Sequence, residues 1–185
     1  MLCAKFDMKD LGELRYFLGI EVVKTKKGIW LLQRHYALEI LAKYGMMACK
    51  PMMSTPLEQN IKLRADCGDE VEDITMYRKM VGSLIYMTIT RPDLSYAVGL
   101  VSQFMQSTCK PHLDAIRRIL RYVKAMAHYG LFYEHRKDLD VHGYTDGDWA
   151  GSTYDRRSTT SGYAFTLGSA VGYLEQQETA YRCFV

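Results

Sequence analysis

The sequence has no apolar run approaching the roughly 18 residues that a membrane-crossing helix requires. Its opening, Met1-Leu2-Cys3-Ala4-Lys5-Phe6-Asp7, has no long apolar centre of the kind a signal peptide carries. No membrane partner and no targeting signal are therefore expected, and the chain reads as if it began inside something longer. The cysteines Cys3, Cys49, Cys67, Cys109 and Cys183 are odd in number and form no C-x-x-C pair. That argues against a disulfide framework or a zinc site, and points to reduced thiols in a cytoplasmic or nuclear compartment. The histidines His35, His112, His128, His135 and His142 show no short metal-ligand spacing, so structural roles are expected for them. Charge of one sign is also scarce: 24 Lys and Arg stand against 21 Asp and Glu, a net +3 that permits a nucleic-acid partner without requiring one. Internal repeats and low-complexity tracts are missing.

What is present is a chain of 185 residues, 48% hydrophobic and 24% charged, enough for one ordinary domain or two small pieces of larger ones. Residues 13–23 and 29–32 are apolar and β-prone, and Lys24-Thr25-Lys26-Lys27-Gly28 between them predicts a hairpin turn. Tyr36, Ile40, Leu41 and Tyr44 recur with a helical period that Gly45 ends. Residues 51–75 hold two prolines and the acids Asp69, Glu70, Glu72 and Asp73 without a sustained apolar period, which predicts an exposed linker. Three amphipathic helices should follow and pack together. One carries Tyr77, Met80, Val81, Leu84, Ile85 and Thr88. The next has Thr90 as N-cap and Pro92 in its first turn, with Leu94, Ala97, Val98, Val101, Phe104 and Met105. The last starts near Pro111 and bears Leu113, Ile116, Leu120, Val123 and Ala127. From Gly130 the pattern changes to short strands: 131–133, 140–146 and 161–167.

Three sets of residues could carry chemistry. Asp146, at a strand end in Tyr144-Thr145-Asp146-Gly147-Asp148-Trp149, could contribute to a Mg²⁺ site, since that ion takes oxygen ligands. A turn shaped only by Asp and Gly is the plainer reading. The last helix sets Lys110, Arg117, Arg118, Arg121 and Lys124 against Asp114, a local excess of four positive charges. Arg117, Arg121 and Lys124 share a face that could follow a phosphate backbone, or could simply be solvated. Tyr16, Phe17 and Trp30 flank the hairpin and could stack on bases, although burial in a core is what large aromatics usually do.

Several strings in order resemble one family. Phe6-Asp7-Met8-Lys9-Asp10-Leu11-Gly12-Glu13-Leu14 and Tyr16-Phe17-Leu18-Gly19-Ile20-Glu21-Val22 resemble the end of the palm in copia-type retrotransposon reverse transcriptases. They are followed by Tyr77-Arg78-Lys79-Met80-Val81-Gly82-Ser83-Leu84-Ile85-Tyr86 and Thr90-Arg91-Pro92-Asp93-Leu94-Ser95-Tyr96-Ala97-Val98. Arg118–Lys124, Gly143–Gly151 and Asp155–Tyr163 complete the set, which covers about residues 5–168.

The resemblance implies an α+β architecture: an N-terminal β-hairpin, a bundle of about four thumb- and connection-like helices, then a partial ribonuclease H-like antiparallel sheet. It implies the end of the palm and a first thumb helix over 1–50, a linker over 51–75, helical thumb and connection over 76–138, and a truncated ribonuclease H segment over 139–185. Tyr16 and Phe17 would belong to the primer grip, and Asp146 would be the first metal-binding carboxylate of ribonuclease H. The expected partners are an RNA–DNA or DNA duplex, held without regard to sequence, and the remainder of the Pol polyprotein. Mg²⁺ would serve the parent enzyme.

The departures are as informative. The family's polymerase Asp-Asp pair is missing. Where a Ser-Ser-x-Glu-Ala-Glu-Tyr-like helix is expected, the chain reads Gly172-Tyr173-Leu174-Glu175-Gln176-Gln177-Glu178-Thr179-Ala180, as a frameshift near residue 170 would produce. Neither Glu175 nor Glu178 maps onto the catalytic Glu. The expectation is a fragment inactive on its own, because one Asp does not make a two-metal site. The alternatives are a non-catalytic nucleic-acid-binding or assembly module, and an unrelated metal enzyme built on Asp146 and Asp148.

Overall fold

A computed structural model describes residues 12–58, 61–64, 68–69, 71–135, 140–148, 158–168 and 170–180. For 146–148, 158–162 and 170–180 only the backbone is described. The motif at 6–11 and the segments 149–157 and 181–185 lie outside the described residues.

Among the described residues the architecture is α+β, with four α-helices and two antiparallel sheets. The first sheet opens with β1 (Tyr16–Phe17), β2 (Ile20–Thr25) and β3 (Gly28–Leu32). Between β1 and β2 the turn residues Leu18 and Gly19 have φ of +48° and +77°. A two-residue turn with both values positive is the kind whose twist matches antiparallel strands. The Tyr86 hydroxyl donates to Leu18 O and secures this tip. The β2–β3 turn falls where the sequence puts it, and Thr25 Oγ1 closes it by accepting from Gly28 N at 3.1 Å.

Helix α1 (Arg34–Lys43) buries Ala37, Ile40 and Leu41. Gly45 ends it at φ +68°, with Met46 N donating to Leu41 O and Gly45 N to Ala42 O. This pair of bonds, closed by a left-handed glycine, satisfies the last carbonyls of the helix. Glu21 on β2 serves the other end, where its carboxylate accepts from His35 N at 2.9 Å. A negative charge there also complements the helix dipole.

Helix α2 (Ile74–Met87) is capped by Asp73, whose side chain accepts from Met76 N. It buries Tyr77, Met80, Val81, Leu84 and Met87. Ile85, expected on that stripe, is 45% exposed, and Met87 takes its place because the apolar arc is centred nearer 77, 80, 84 and 87. Thr90 does not cap the next helix. A 3-10 turn at Pro92–Leu94, preceded by Arg91, leads into α3 (Ser95–Ser102), so Phe104 and Met105 fall beyond the helix. Helix α4 (Lys110–Ala125) has all its predicted apolar positions in the core, Ala127 just past its end included.

The stretch 51–75 is not an exposed linker. Up to Asp73 its described part forms no helix or strand, yet it lies as a strap across the helices, and Ile74 already begins α2. Leu57 is buried, and Ile61, Leu63 and Val71 pack on the core. Backbone bonds fix it: Met52 N to Arg121 O, Val71 N to Thr108 O and Lys110 N to Asp69 O. Its apolar residues follow no period because they drop one by one onto a surface that the helices provide.

Strand β4 (Gly130–Glu134) does not start a new sheet. It pairs antiparallel with β3, Leu32 opposite Gly130 and Gly28 opposite Glu134, and completes the order β1-β2-β3-β4. The second sheet is β5 (Val141–Asp148), β6 (Ser158–Leu167) and β7 (Ala170–Ala180). Its first two strands lie where alternation predicts them. The third comes from the tail, in which no element was predicted. Val141 and Phe165 share a face and are 69% and 45% exposed, so this sheet leaves apolar surface open to solvent.

Candidate nucleic-acid interface

The basic face of α4 is built on the buried stripe of the same helix, which fixes which way its polar residues point. Arg117 Nη1 contacts Asp114 at 3.2 Å, Arg118 Nη1 contacts Glu58 at 3.0 Å and Lys110 Nζ contacts Asp69 at 2.7 Å. Arg121 Nε donates to Lys50 O at 2.9 Å, and Lys124 Nζ donates to Met47 O and Cys49 O at 2.6 and 2.7 Å. These carbonyls orient the two cations without cancelling their charge. Among the described residues, three acids against five cations reduce the local excess from the four expected to two. Among the described residues, Arg121 and Lys124 have no carboxylate partner. Two of the neutralising acids, Glu58 and Asp69, come from the strap, which a count along the helix alone leaves out.

At the far side of the first sheet, Tyr16 and Phe17 are 54% and 59% exposed, with Leu14 and Leu18 exposed beside them. The usual burial of aromatics does not hold here, because β1 is a two-residue edge strand. Trp30 is half-buried and lies against Phe132, ring centroids 4.6 Å apart. Tyr16 and Phe17 lie on β1 at the edge of the first sheet, whereas Arg117, Arg121 and Lys124 lie on α4.

Asp146 sits two residues before the end of β5, opposite Gly162. Its side chain lies outside the described residues. Cross-strand register places Asp146, Asp148 and, through Thr160, Glu178 on one face of the sheet. Glu178 is two strands from Asp148, roughly 9–10 Å at ordinary ladder spacing. Among the described residues no group of three or more His, Cys, Asp or Glu could hold a metal ion.

Sequence reasoning missed a clasp in the Thr90-Arg91-Pro92-Asp93 string. Arg91 is 4% exposed and makes a bidentate pair with Asp93 at 2.9 and 2.7 Å. Its Nη1 donates to Met126 O at 2.7 Å, next to the end of α4. Tyr122 completes the group by donating to Asp93. Burial, then the Asp93 charge, pushes the Tyr122 phenol up, so it remains a donor. Thr90 donates to the buried Gln33, whose amide reaches Tyr86 O.

Residues 1–59 match the reverse transcriptase (RNA-dependent DNA polymerase) family. The Retrovirus-related Pol polyprotein from transposon RE1 of Arabidopsis thaliana is 44% identical over 90% of this chain. The chain belongs to the copia-type retrotransposon Pol family. It spans 11% of the length of that relative and 14% of the Pol polyprotein from transposon TNT 1-94 of Nicotiana tabacum, which is 38% identical over 98% of this chain. An uncharacterized mitochondrial protein of Arabidopsis thaliana, AtMg00810, is 44% identical over 90% of this chain, which covers 68% of it. No solved structure matches. Among the described residues no helix of this Pol-family chain is long and apolar enough to cross a membrane.

Proposed function

We propose that this chain is the primer-grip, thumb and connection portion of a copia-type reverse transcriptase, leading into a ribonuclease H-like segment. On this reading it holds duplex nucleic acid without polymerising or hydrolysing it. The supporting observation is the α4 face, on which two cations have no carboxylate partner among the described residues and are held in place by backbone carbonyls. Positive charge already fixed in position attracts a phosphate backbone at little further cost in side-chain entropy. Tyr16 and Phe17 at the exposed edge offer faces on which bases could stack. The residues proposed to bind are Arg117, Arg121, Lys124, Tyr16 and Phe17, and Asp146 is a remnant of the parent's Mg²⁺-binding set.

Binding of a mixed-sequence duplex, measured as a function of salt, tests this. Arg121→Ala with Lys124→Ala should reduce the slope of log affinity against log salt by roughly 2, at about 0.9 per phosphate contact on B-DNA. Arg117→Ala should change it less, because Asp114 already offsets that charge. An unchanged slope in the double variant would mean that the face is merely solvated.

Primer extension on an RNA template with Mg²⁺ should show nothing above background, because this chain carries no Asp-Asp pair. Extension that survives Asp146→Asn would refute the non-catalytic reading.

A further inference from the structure

His112 occupies the third position of α4 and is fully buried. Its Nδ1 accepts from Cys109 N at 2.9 Å, which caps the helix start. A ring nitrogen that accepts carries no proton, so the neutral ring must bear its hydrogen on Nε2. That atom lies 3.0 Å from Arg64 O on the strap and therefore donates to it. The ring stacks on Phe104, centroids 4.0 Å apart and 14° from parallel. One imidazole thus joins three segments: the first turn of α4, the strap, and the stretch after α3. Two further bonds hold the strap at the same place, Lys110 N to Asp69 O and Val71 N to Thr108 O.

A second proton would have to sit on Nδ1. The ring would then lose its acceptor and face the Cys109 N–H donor to donor. It would also place a buried positive charge at the positive end of the α4 dipole. Among the described residues, the charged groups on these elements include Arg64 and Asp69 on the strap, Arg78 on α2, and Lys110, Asp114 and Arg117 on α4. Asp69 is paired with Lys110, Asp114 with Arg117, and Arg78 donates to Met105 O.

We propose that His112 is a proton-operated latch: protonation of its ring releases the strap around Arg64, Asp69 and Val71 from the start of α4 while the helical core stays folded. Burial pulls the imidazole below its ordinary value of 6.5. Opening is therefore suppressed above that value and grows as pH falls below it, until the folded ring itself titrates. Over that window one proton taken up per opening event raises the opening constant about tenfold per pH unit.

Amide hydrogen exchange on the full chain, expressed as protection factors, reads this directly. The Val71 and Lys110 amides should lose up to about tenfold protection per pH unit as pH falls below 6.5, while the Tyr44 amide, bonded to Ile40 O at the end of α1, keeps its own. In His112→Asn, a neutral amide oxygen can still accept from Cys109 N but cannot titrate, so the strap amides should show no such dependence. Equal pH dependence in both proteins, or loss at Tyr44 together with the strap, overturns the latch. Should the variant not fold, the native protein still decides. Imidazole ¹⁵N shifts must report the Nε2-protonated form, and a ring protonated on Nδ1 at neutral pH refutes the proposal.

Discussion

Replacing Arg91 by alanine should lower the thermal unfolding midpoint by roughly 6–12 °C. Removing one member of a buried, hydrogen-bonded ion pair costs about 3 kcal/mol or more. In a chain of this size each kcal/mol is worth about 2–4 °C. The guanidinium is buried and makes three bonds, two to Asp93 and one to Met126 O. Its loss strands the carbonyl and frees the junction between α2 and α3 from the end of α4. Arg91→Lys keeps the charge but cannot reproduce the fork, so it should recover less than half of the loss. Asp93→Asn should cost less than either, because the Asp93 side chain is 40% exposed and water can serve its partner groups. Calorimetry on the three variants gives the ranking. A shift under about 2 °C for Arg91→Ala would mean that the clasp contributes little.

Leu120→Ala should cost about 2–5 kcal/mol, the range for emptying a fully buried leucine site. Leu120 is 0% exposed on the α4 stripe. Ile85→Ala removes a side chain of the same size from α2 but should cost about 0.5 kcal/mol or less, because Ile85 is 45% exposed. Denaturant unfolding of the two proteins side by side checks which faces of α2 and α4 are inward. Similar losses would contradict the orientation described for α2.

The helices were legible because their apolar residues recur at helical spacing and bury together. Leu113, Ile116, Leu120, Val123 and Ala127 are all in the core, and Gly45 stops α1 where a left-handed residue is needed. What escaped reading has no period. The strap packs through isolated residues such as Leu57 and Val71, whose partners lie far along the chain. Its acids Asp69 and Glu58 neutralise cations 41 and 60 positions away, so the charge on α4 cannot be read from α4 alone. Asp73 looked like part of an acidic patch and is a helix cap. Thr90 looked like a cap and is bound to Gln33. In both cases residue type was informative, but only the folded backbone decides which local groups remain to be satisfied. The aromatics Tyr16 and Phe17 were ambiguous for a different reason: whether a strand lies at an edge depends on neighbours that the strand itself does not encode.

The pairing of β3 with β4 has one more consequence. All four helices and the strap lie between Leu32 and Gly130, and those two residues face each other across a single ladder. The approach is close enough that a β-carbon at residue 130 would collide with Leu31 O. The chain therefore leaves the sheet and returns to it at neighbouring points, with some hundred residues folded in between. A unit joined to its surroundings at two adjacent points has the geometry of a cassette. Grafted between two antiparallel strands of a host, it would keep its helical core but lose the sheet contacts made through Glu21 and Leu18.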